Sequence, residues 1–469
     1  MILATPQVSI FSTLPQDHVL NLAVIDRLLE IGVNFTGFAE NQIPDRFSPE
    51  LLKGKVLFME RGALKTMTDE EKKLLEEYAV DHTVSCFDYA GSVDNRILVN
   101  FDAEITVNGA LSGAGIVPGD IPPQSSEVTC RFAKERAAEY LQSPNLQFSE
   151  FTLHHLRAIA PDREVLLKIL PALFDSQDQE IVPPHHDALG AWIYAPLCSK
   201  LTGDEKYNKK FLHVLQKTMK ARAWSSGGIM GATGDVADRL NLKGEFPLYS
   251  AYSVRRKETI YNEMFHFHGP IFAAAALASG DNSYLEHAMR LLRHLRTYNV
   301  DPADGLPCHF SDGTRRGGMK WSRGIAHILH GITLMFEVWP RMPREEAQEL
   351  IAFADSIGEG LLRTQDSSGL WHNVADVEMT PLESSATMAF ISTYQPLVNE
   401  GLLSEKKYGE MISRARKGFL KRCYRGGFAG NCSGTGLAIW DDYYFRRPFN
   451  FLFTGQIVSA LDENARFMN

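Results

Sequence analysis

A pattern of paired helices repeats along the C-terminal part of the chain and limits the folds open to it. Amphipathic helices alternate from about residue 185 onward, and the first helices of four successive pairs begin near Asp187, Asn262, Trp321 and Glu383, which are 75, 59 and 62 residues apart. The predicted pairs are 187–201 with 206–220, 263–278 with 282–296, 322–339 with 344–363, and 383–399 with 405–420, followed by 451–465. Such a period is typical of helical hairpins that pack on one another.

A local repeat marks the junction inside two successive pairs. Leu-Thr-Gly-Asp-x-x-Tyr at 201–207 and Ala-Ser-Gly-Asp-x-x-Tyr at 278–284 hold the same place. Glycine can end the first helix in the left-handed conformation, and aspartate can cap the next helix. Closing such hairpins into a ring buries all of their apolar faces. We therefore predict a mainly α fold, an (α/α)6 six-hairpin toroid over 131–469, with ten to twelve helices depending on how 147–173 folds.

Residues 1–130 follow another pattern and predict a small α/β domain. Short β-rich runs alternate with helical patterns at 16–31 and 68–78, which is typical of a small, mostly parallel sheet. In outline this segment resembles an amidotransferase-like or flavodoxin-like domain, but it has no nucleophile elbow and we assign it no catalytic role. A stretch rich in Gly, Pro and Ser at 113–127 predicts a linker and a domain boundary near residue 130.

The composition argues against several classes of partner. The 469 residues carry 48 Lys and Arg against 57 Asp and Glu, a net charge of −9, so we expect no nucleic-acid partner. No apolar run reaches the roughly 18 residues that cross a bilayer, so we expect no membrane partner. The first residues lack the features of a secretory signal, and the six cysteines are scattered without a C-x-x-C pair. Both observations predict a cytoplasmic protein with reduced thiols.

Polar and aromatic residues are dense in the segments that lead into the first helix of each pair. In a toroid these segments converge on one mouth, so we expect them to form a shared site. They read Pro-Pro-His-His-Asp at 183–187, Tyr-Asn-Glu-Met-Phe-His-Phe-His at 261–268, Cys-His-Phe-Ser-Asp at 308–312, Lys-Trp-Ser-Arg-Gly at 320–324, Trp-His-Asn at 371–373 and Glu-Ser-Ser at 383–385.

These residue types suit a sugar acid. Aromatic rings match the apolar face of a pyranose, and the candidates are Tyr261, Trp321 and Trp371. Arg323 can bind a carboxylate through two parallel hydrogen bonds. Asp187 and Glu263 are candidates for proton transfer, because glycosidic chemistry needs carboxyl groups that donate and accept protons near neutral pH. The remaining predicted substrate-binding residues are His186, His268, His372 and Glu383.

The spacing of the histidines argues against a zinc site. His266 and His268 are two residues apart, so they face different directions on a helix and do not form the usual i, i+4 pair.

Several motifs recur in an order that identifies a family resemblance. They are Thr-Gly-Asp-x-x-Tyr at 202–207, Asp-Gly-Leu at 304–306 followed by His309, Trp-Ser-Arg-Gly at 321–324, Gln-Asp-x-x-Gly-Leu-Trp-His at 365–372, Leu-Glu-Ser-Ser-Ala at 382–386 and Cys-Ser-Gly-Thr-Gly at 432–436. From about residue 185 to 465 the chain resembles the unsaturated glucuronyl and unsaturated rhamnogalacturonyl hydrolases, six-hairpin enzymes that act on fragments left by polysaccharide lyases. The resemblance implies hydration of the C4–C5 double bond of an unsaturated uronic acid, with no metal or organic cofactor.

Two departures from that family change the expected site. The family places its acid/base aspartate where this chain has Asn262, and an amide cannot relay a proton as a carboxylic acid does. The family's Asn-Gly-Trp after the Trp-x-Arg-Gly motif is replaced by Ile-Ala-His at 325–327, so substrate contacts there differ as well.

Three hypotheses about function follow from these residues. In the first, the protein is a six-hairpin glycoside hydrolase or hydratase that acts on a uronic-acid oligosaccharide, with Glu263 or Asp187 transferring the proton and His309 in the catalytic set. In the second, it is a β-eliminating uronate lyase that uses an amide to neutralise the substrate carboxylate and a histidine or tyrosine as base. The residues of those types are Asn262, His266, His268, Tyr261 and Arg323. In the third, the toroid binds sugar without catalysis or acts as a structural partner.

Overall fold

The structure is a computed structural model. It describes residues 7–13, 24, 27–28, 33, 35, 46–87, 103–116, 126–142, 146, 148, 150–183, 186–234, 259–311, 313–317, 319–378, 380, 382–424, 427–428, 431–432, 446–447 and 454–467. The predicted helix at 16–31 and the motif at 432–436 fall largely outside these residues.

A small parallel sheet forms the centre of the N-terminal part. Strands β1 (Val8–Phe11), β2 (Val56–Glu60) and β3 (Thr83–Phe87) lie in that order, and both neighbouring pairs are parallel. Apolar side chains of β1 and β2 enter two separate cores, one on each face of the sheet. Burial of both faces is typical of parallel sheets, and the predicted α/β character of this part is confirmed.

Two helices accompany the sheet, α1 (Asp69–Asp81) and α2 (Ala103–Gly113). Helix α1 begins with a capping box, in which Thr68 accepts from the backbone N–H of Glu71 and Glu71 accepts from that of Thr68.

The rest of the described chain is built mainly of helices, which alternate between an inner and an outer position. The inner elements are α4 (Glu150–Ile159), a 3-10 helix (His186–Tyr194) continued by α6 (Ala195–Thr202), α8 (Glu263–Ser279), α10 (Ser322–Val338), α12 (Ser384–Asn399) and α14 (Thr454–Leu461). The outer elements are α3 (Ser126–Leu141), α5 (Arg163–Ser176), α7 (Lys206–Ala221), α9 (Ser283–His294), α11 (Arg344–Thr364) and α13 (Glu405–Leu420).

The inner elements close into a ring. Helix α8 packs between the 3-10 helix and α10, α12 packs between α10 and α14, and α4 packs between α14 and the 3-10 helix. Helix α3, which comes early in the chain, covers α14 and α4 from outside, so it completes the last hairpin. The predicted (α/α)6 toroid is therefore confirmed, and the ambiguous stretch 147–173 lies mostly within α4 and α5.

Short strands fill the loops at the end of the ring where the inner helices begin. They are β4 (Arg222–Trp224), β5 (Met230–Gly234), β6 (Ile260–Tyr261), β7 (Phe310–Ser311), β8 (Arg316–Gly317), β9 (Trp371–His372), β10 (Leu382–Glu383), β11 (Cys423–Tyr424), β12 (Gly427–Phe428), β13 (Asn431–Cys432) and β14 (Arg446–Arg447). Strand β6 pairs with β7, and β9 pairs with β10. These pairings fix loops that are far apart in the sequence beside the first turns of α8 and α12.

One apolar core runs through the ring from Ala133 to Phe467. Two of the predicted turns have the expected backbone, because Gly203 and Gly280 end α6 and α8 with φ angles of 71° and 73° in the left-handed region. The proposed boundary near residue 130 falls within α3 and stays a prediction. Among the described residues, no helix combines the length and apolar character that a bilayer crossing requires.

Candidate active site

A glutamate and a histidine meet at the first turn of α8. Strand β6 leads into this helix and pairs with β7, and the N–H of Asn262 donates to the carbonyl of His309 at 3.0 Å. This pairing brings His309 Nε2 to 2.6 Å from Glu263 Oε2. The Glu263 side chain is 21% exposed and the His309 side chain 0%. The carboxyl group therefore reaches solvent, and its imidazole partner is fully buried.

Aromatic rings enclose the imidazole of His309. The ring centroids of Trp321 and Tyr261 lie 5.1 Å and 5.7 Å from it. Among the residues that the structure describes, His309 Nδ1 and Trp321 Nε1 are buried without a hydrogen-bond partner. A Cβ at Gly324 would lie 2.8 Å from the indole and 3.3 Å from the imidazole, which gives the glycine of the Trp-Ser-Arg-Gly motif a packing reason.

Arg323 places a positive charge at the same end of the ring. Its guanidinium carbon lies 4.7 Å from the centroid of the Trp321 ring, within the range of a cation–π interaction, and the side chain is only partly buried. A guanidinium can bind a carboxylate through two parallel hydrogen bonds, so the charge at this end of the ring suits an acidic ligand.

Asn262 is buried, and both ends of its amide are used inside the protein. Nδ2 donates to the carbonyl of Cys308 at 3.1 Å, and Oδ1 accepts from Asn299 at 2.9 Å. Successive helical residues are rotated by about 100°, so burial of Asn262 turns Glu263 toward the solvent. Asn262 therefore holds a loop in place.

Glu383, which was predicted to bind substrate, caps α12. Its carboxylate accepts from the backbone N–H of Ser385 at 3.2 Å and from that of Ala386, and it also accepts from the Ser385 hydroxyl. Burial raises the pKa of Glu383, while the charge of Arg323 and these hydrogen bonds act in the opposite direction. A side chain with this many internal partners is a structural cap.

Trp371 and His372 form β9, and both side chains are held by contacts within the protein. Trp371 is fully buried in the core, where its indole N–H donates to the carbonyl of Leu361 at 3.0 Å. His372 Nδ1 bonds to the carbonyl of Thr380. In this arrangement the Trp371 ring packs edge-on against Phe390 and offers no face to a sugar.

The remaining predicted residues lie at the start of the 3-10 helix and where α8 meets it. His268 and His186 are both buried, and their ring centroids are 5.5 Å apart where α8 meets the 3-10 helix. Asp187 belongs to that 3-10 helix, and its side chain lies outside the described part of the structure. The opposite directions of His266 and His268 agree with the i, i+2 argument. In the described ranges, no group of three or more His, Cys, Asp or Glu side chains could hold a metal ion.

A chain of imidazoles, which sequence reasoning missed, begins beside this site. His266 Nδ1 lies 2.7 Å from His327 Nδ1, and His266 Nε2 lies 3.1 Å from His330 Nδ1. His330 Nε2 in turn lies 2.8 Å from Arg157 Nη1. The guanidinium of Arg157 also donates to both carboxylate oxygens of Glu337. The sequence signal was the spacing of Arg323, His327 and His330, which share one face of α10.

Burial lowers the pKa values of three imidazoles in this region. Desolvation, assisted by the charge of Arg157, lowers the pKa of His154 to about 3. Desolvation and the neighbouring His266 lower the pKa values of His327 and His330 well below their usual range. The ring of His154 stacks on that of His330 at 5.4 Å, so the neutral rings pack as a cluster.

A cavity of about 950 Å³ lies at the other end of the ring, where inner helices end. Its lining includes Tyr194, Leu277, Glu337 and Trp339. None of the predicted site residues lines it, so the chemistry-bearing residues and this cavity occupy opposite ends of the toroid.

The fold defines a six-hairpin (α/α)6 protein, and the Glu–His pair lies at the end of the ring where its inner helices begin. Residues 258–457, less than half of the chain, match the family model described as Glycosyl Hydrolase Family 88. The resemblance to the unsaturated glucuronyl and rhamnogalacturonyl hydrolase superfamily is thereby confirmed, and it supports a carbohydrate-active enzyme. The correspondence of Asn262 with the family's aspartate stays a prediction.

Solved structures show the same fold at low sequence identity. A possible member of family GH105 from Klebsiella pneumoniae subsp. pneumoniae MGH 78578 matches with a TM-score of 0.57 and 18% identity over 72% of this chain and 91% of that chain. A family 105 glycoside hydrolase from C. acetobutylicum ATCC 824 gives a TM-score of 0.56 and 15% identity over 71% and 98% of the two chains. The unsaturated glucuronyl hydrolase from Bacillus sp. GL1, described as responsible for degradation of glycosaminoglycan, gives 0.51 and 16% over 72% and 96%. The search of curated proteins found no match.

Proposed function

We propose that this protein is a glycoside hydrolase that acts on an unsaturated uronic-acid oligosaccharide, with Glu263 as the proton-transfer group. The observation that carries the proposal is the 2.6 Å contact between Glu263 Oε2 and His309 Nε2 at the mouth of the ring. A partly exposed carboxyl group with a buried imidazole partner can give up and recover a proton next to a bound ligand.

The reaction assigns a distinct role to each group at the mouth. Hydration of the C4–C5 double bond needs a proton at C4 and a water molecule at C5, and one carboxyl group can serve both because the two carbons are adjacent. Glu263 donates the proton to C4 and accepts one from the attacking water, while His309 holds the carboxyl group in place. The hemiketal that forms then opens and releases the rest of the saccharide.

The surrounding side chains supply binding. Arg323 pairs with the uronate carboxylate, and the exposed part of Tyr261 receives the sugar ring, whereas Trp321, which was predicted to bind the sugar, is buried and supports Arg323 from inside the protein. Asp187 stands at the start of another inner element and is proposed as a second carboxylate of the mouth.

The hydrogen bonds of Asn262 and His266 weigh against the lyase hypothesis. That hypothesis needs a free amide to neutralise the substrate carboxylate, and both ends of the Asn262 amide are occupied. It also needs a free base, and both ring nitrogens of His266 are bonded to other imidazoles. A lyase would therefore have to break buried hydrogen bonds before it could act.

An absorbance assay tests the proposal. The protein is incubated with saturated and unsaturated uronate oligosaccharides while the double-bond absorbance is followed. Hydration predicts loss of absorbance with the unsaturated compounds only. Gain of absorbance with the saturated compounds would show a lyase, and no change with any of them would favour a non-catalytic protein.

Variants link that activity to the site. We expect Glu263→Gln to lower kcat by about 10²- to 10⁴-fold, because an amide cannot donate the proton. The matched control is Glu410→Gln on the outer helix α13, which should leave kcat unchanged. Full activity of the Glu263→Gln variant would exclude Glu263 as the acid, and Asp187→Asn would then be the next variant to measure.

A further inference from the structure

The imidazole chain connects three inner helices across the interior of the ring. It runs from Arg157 on α4 through His330 on α10 and His266 on α8 to His327, which is on α10 one helical turn from Arg323. Every link is a contact between two nitrogen atoms, so one nitrogen of each pair must carry a hydrogen and the other must accept it.

Arg157 decides which nitrogen donates at each link. A guanidinium has only donors, so His330 Nε2 must accept the bond from Arg157 Nη1. His330 then carries its proton on Nδ1 and donates to His266 Nε2. His266, accepting at Nε2, carries its proton on Nδ1 and donates to His327 Nδ1. His327, accepting at Nδ1, carries its proton on Nε2.

We propose that His327 presents a fixed Nε2–H donor to the sugar bound at the mouth, and that Arg157, His330 and His266 are positioning residues that fix this tautomer. The inference rests on the proposed function, because it assigns a further specificity-determining contact to the same site. The predicted partner of the donor is an oxygen atom of the uronic acid held next to Arg323.

The surroundings of His327 support this role. The side chain is only partly buried, and its ring centroid lies 6.1 Å from that of Trp321. Within the described residues, its Nε2 makes no hydrogen bond, so a ligand oxygen would supply the first one. Burial lowers the pKa of His327, so the ring stays neutral near pH 7 and keeps the single proton that the chain assigns to it.

His327 ends the Ile-Ala-His segment at 325–327, where the sequence departs from the pattern that the family resemblance implies. A site with a fixed donor favours ligands that place an oxygen opposite it and disfavours analogues that lack this oxygen.

Nitrogen-15 NMR of the ligand-free protein tests the tautomer without any substrate. With ¹⁵N-labelled histidine and the His327 signals assigned by their loss in His327→Asn, we expect a protonated Nε2 and an unprotonated Nδ1. A proton on Nδ1 would overturn the inference whatever the enzyme's activity. Lack of activity of the wild-type protein on all unsaturated uronides would instead overturn the proposed function and, with it, the assignment of a sugar as the ligand.

Steady-state kinetics with an unsaturated glucuronyl disaccharide tests the contact. In His327→Asn the amide can replace only Nδ1, so we expect kcat/KM to fall about 10- to 100-fold, mainly through KM. In His327→Gln the amide nitrogen can reach the Nε2 position and should recover most of the loss. A comparable loss in both variants would contradict the donor role, as would an unchanged KM in His327→Asn. His213→Asn, on the outer helix α7, is the control and should not alter kcat/KM.

His266→Asp separates tautomer control from packing. A carboxylate can only accept, so it should draw the His327 proton to Nδ1 and lower kcat/KM as His327→Asn does, although His327 itself is intact. Circular dichroism establishes that the variant is folded. If this variant is folded and keeps the wild-type KM, the relay from Arg157 does not control the site.

Discussion

Helices α8 and α12 are both inner helices, and each has a glutamate at its N-terminal end. Glu383 is the N-cap of α12, and Glu263 is the first residue of α8. Glu383 at α12 is buried and accepts hydrogen bonds from Ser385 and Ala386. Glu263 at α8 is partly exposed and bonds to the imidazole of His309. The comparison teaches that internal partners and burial, rather than residue type, distinguish a cap from a candidate catalytic group.

The largest expected difference between the two turns is in stability. Glu383→Ala leaves the buried donors of Ser385 and Ala386 without an acceptor, and we expect the free energy of unfolding to fall by about 3 kcal/mol. Urea denaturation measures this change. The matched variant Glu263→Gln, which loses activity, should change the unfolding free energy by less than about 0.5 kcal/mol. Equal destabilisation by the two variants would remove the distinction.

A second prediction concerns Asn262, the residue that precedes α8. Asn262→Asp introduces the carboxylate that the family resemblance predicts at this position, but the new oxygen would face the carbonyl of Cys308, where the amide now donates. We expect the unfolding free energy to fall by about 2 kcal/mol, because a buried carboxylate loses a donor and meets an acceptor. Activity should not rise. An increase in kcat at unchanged stability would show that the position is still part of the catalytic site.

The smallest expected effect is a pH dependence of the unfolding free energy that arises from the buried imidazole of His154. The pKa of His154 is lowered from 6.5 to about 3 in the folded protein, so the unfolded chain binds its proton first as the pH falls. The unfolding free energy should therefore decrease below pH 6.5, by about 1.4 kcal/mol per pH unit for each buried neutral histidine. Denaturation at pH 5.5 and 4.5 measures the slope, because the histidine of the unfolded chain is almost fully protonated in that range. His154→Phe should make it shallower by that amount, and an unchanged slope would show that His154 is not neutral in the folded state.

The fold could be predicted because its signals are local. The glycines at 203 and 280 end helices in the left-handed conformation, and the predicted pair 322–339 with 344–363 matches Ser322–Val338 with Arg344–Thr364 closely. The first helix of the first pair differs, since it begins as the 3-10 helix His186–Tyr194 and becomes α-helical only at Ala195. Sequence periodicity does not separate these two helix types when the turns are short and buried.

The site could be predicted only in part, because its contacts join distant segments. Motif order placed Glu263, His309, Trp321 and Arg323 at one mouth, and the structure brings these four together. It could not show that Asn262 and Trp371 turn inward, since one residue along the chain decides the direction of a side chain. The imidazole chain was missed for a related reason, as its members come from three helices and only their mutual distances reveal it.

The closure of the ring by α14 has a consequence for how the protein is made. Helix α14 fills the gap between α12 and α4, and Cys130 on α3 contacts the carbonyl of Val458, 328 positions further along. A nascent polypeptide must therefore hold the apolar flanks of α4 and α12 uncovered on the ribosome until α14 emerges. Late closure of this kind slows assembly and makes the unfinished ring a natural client for chaperones.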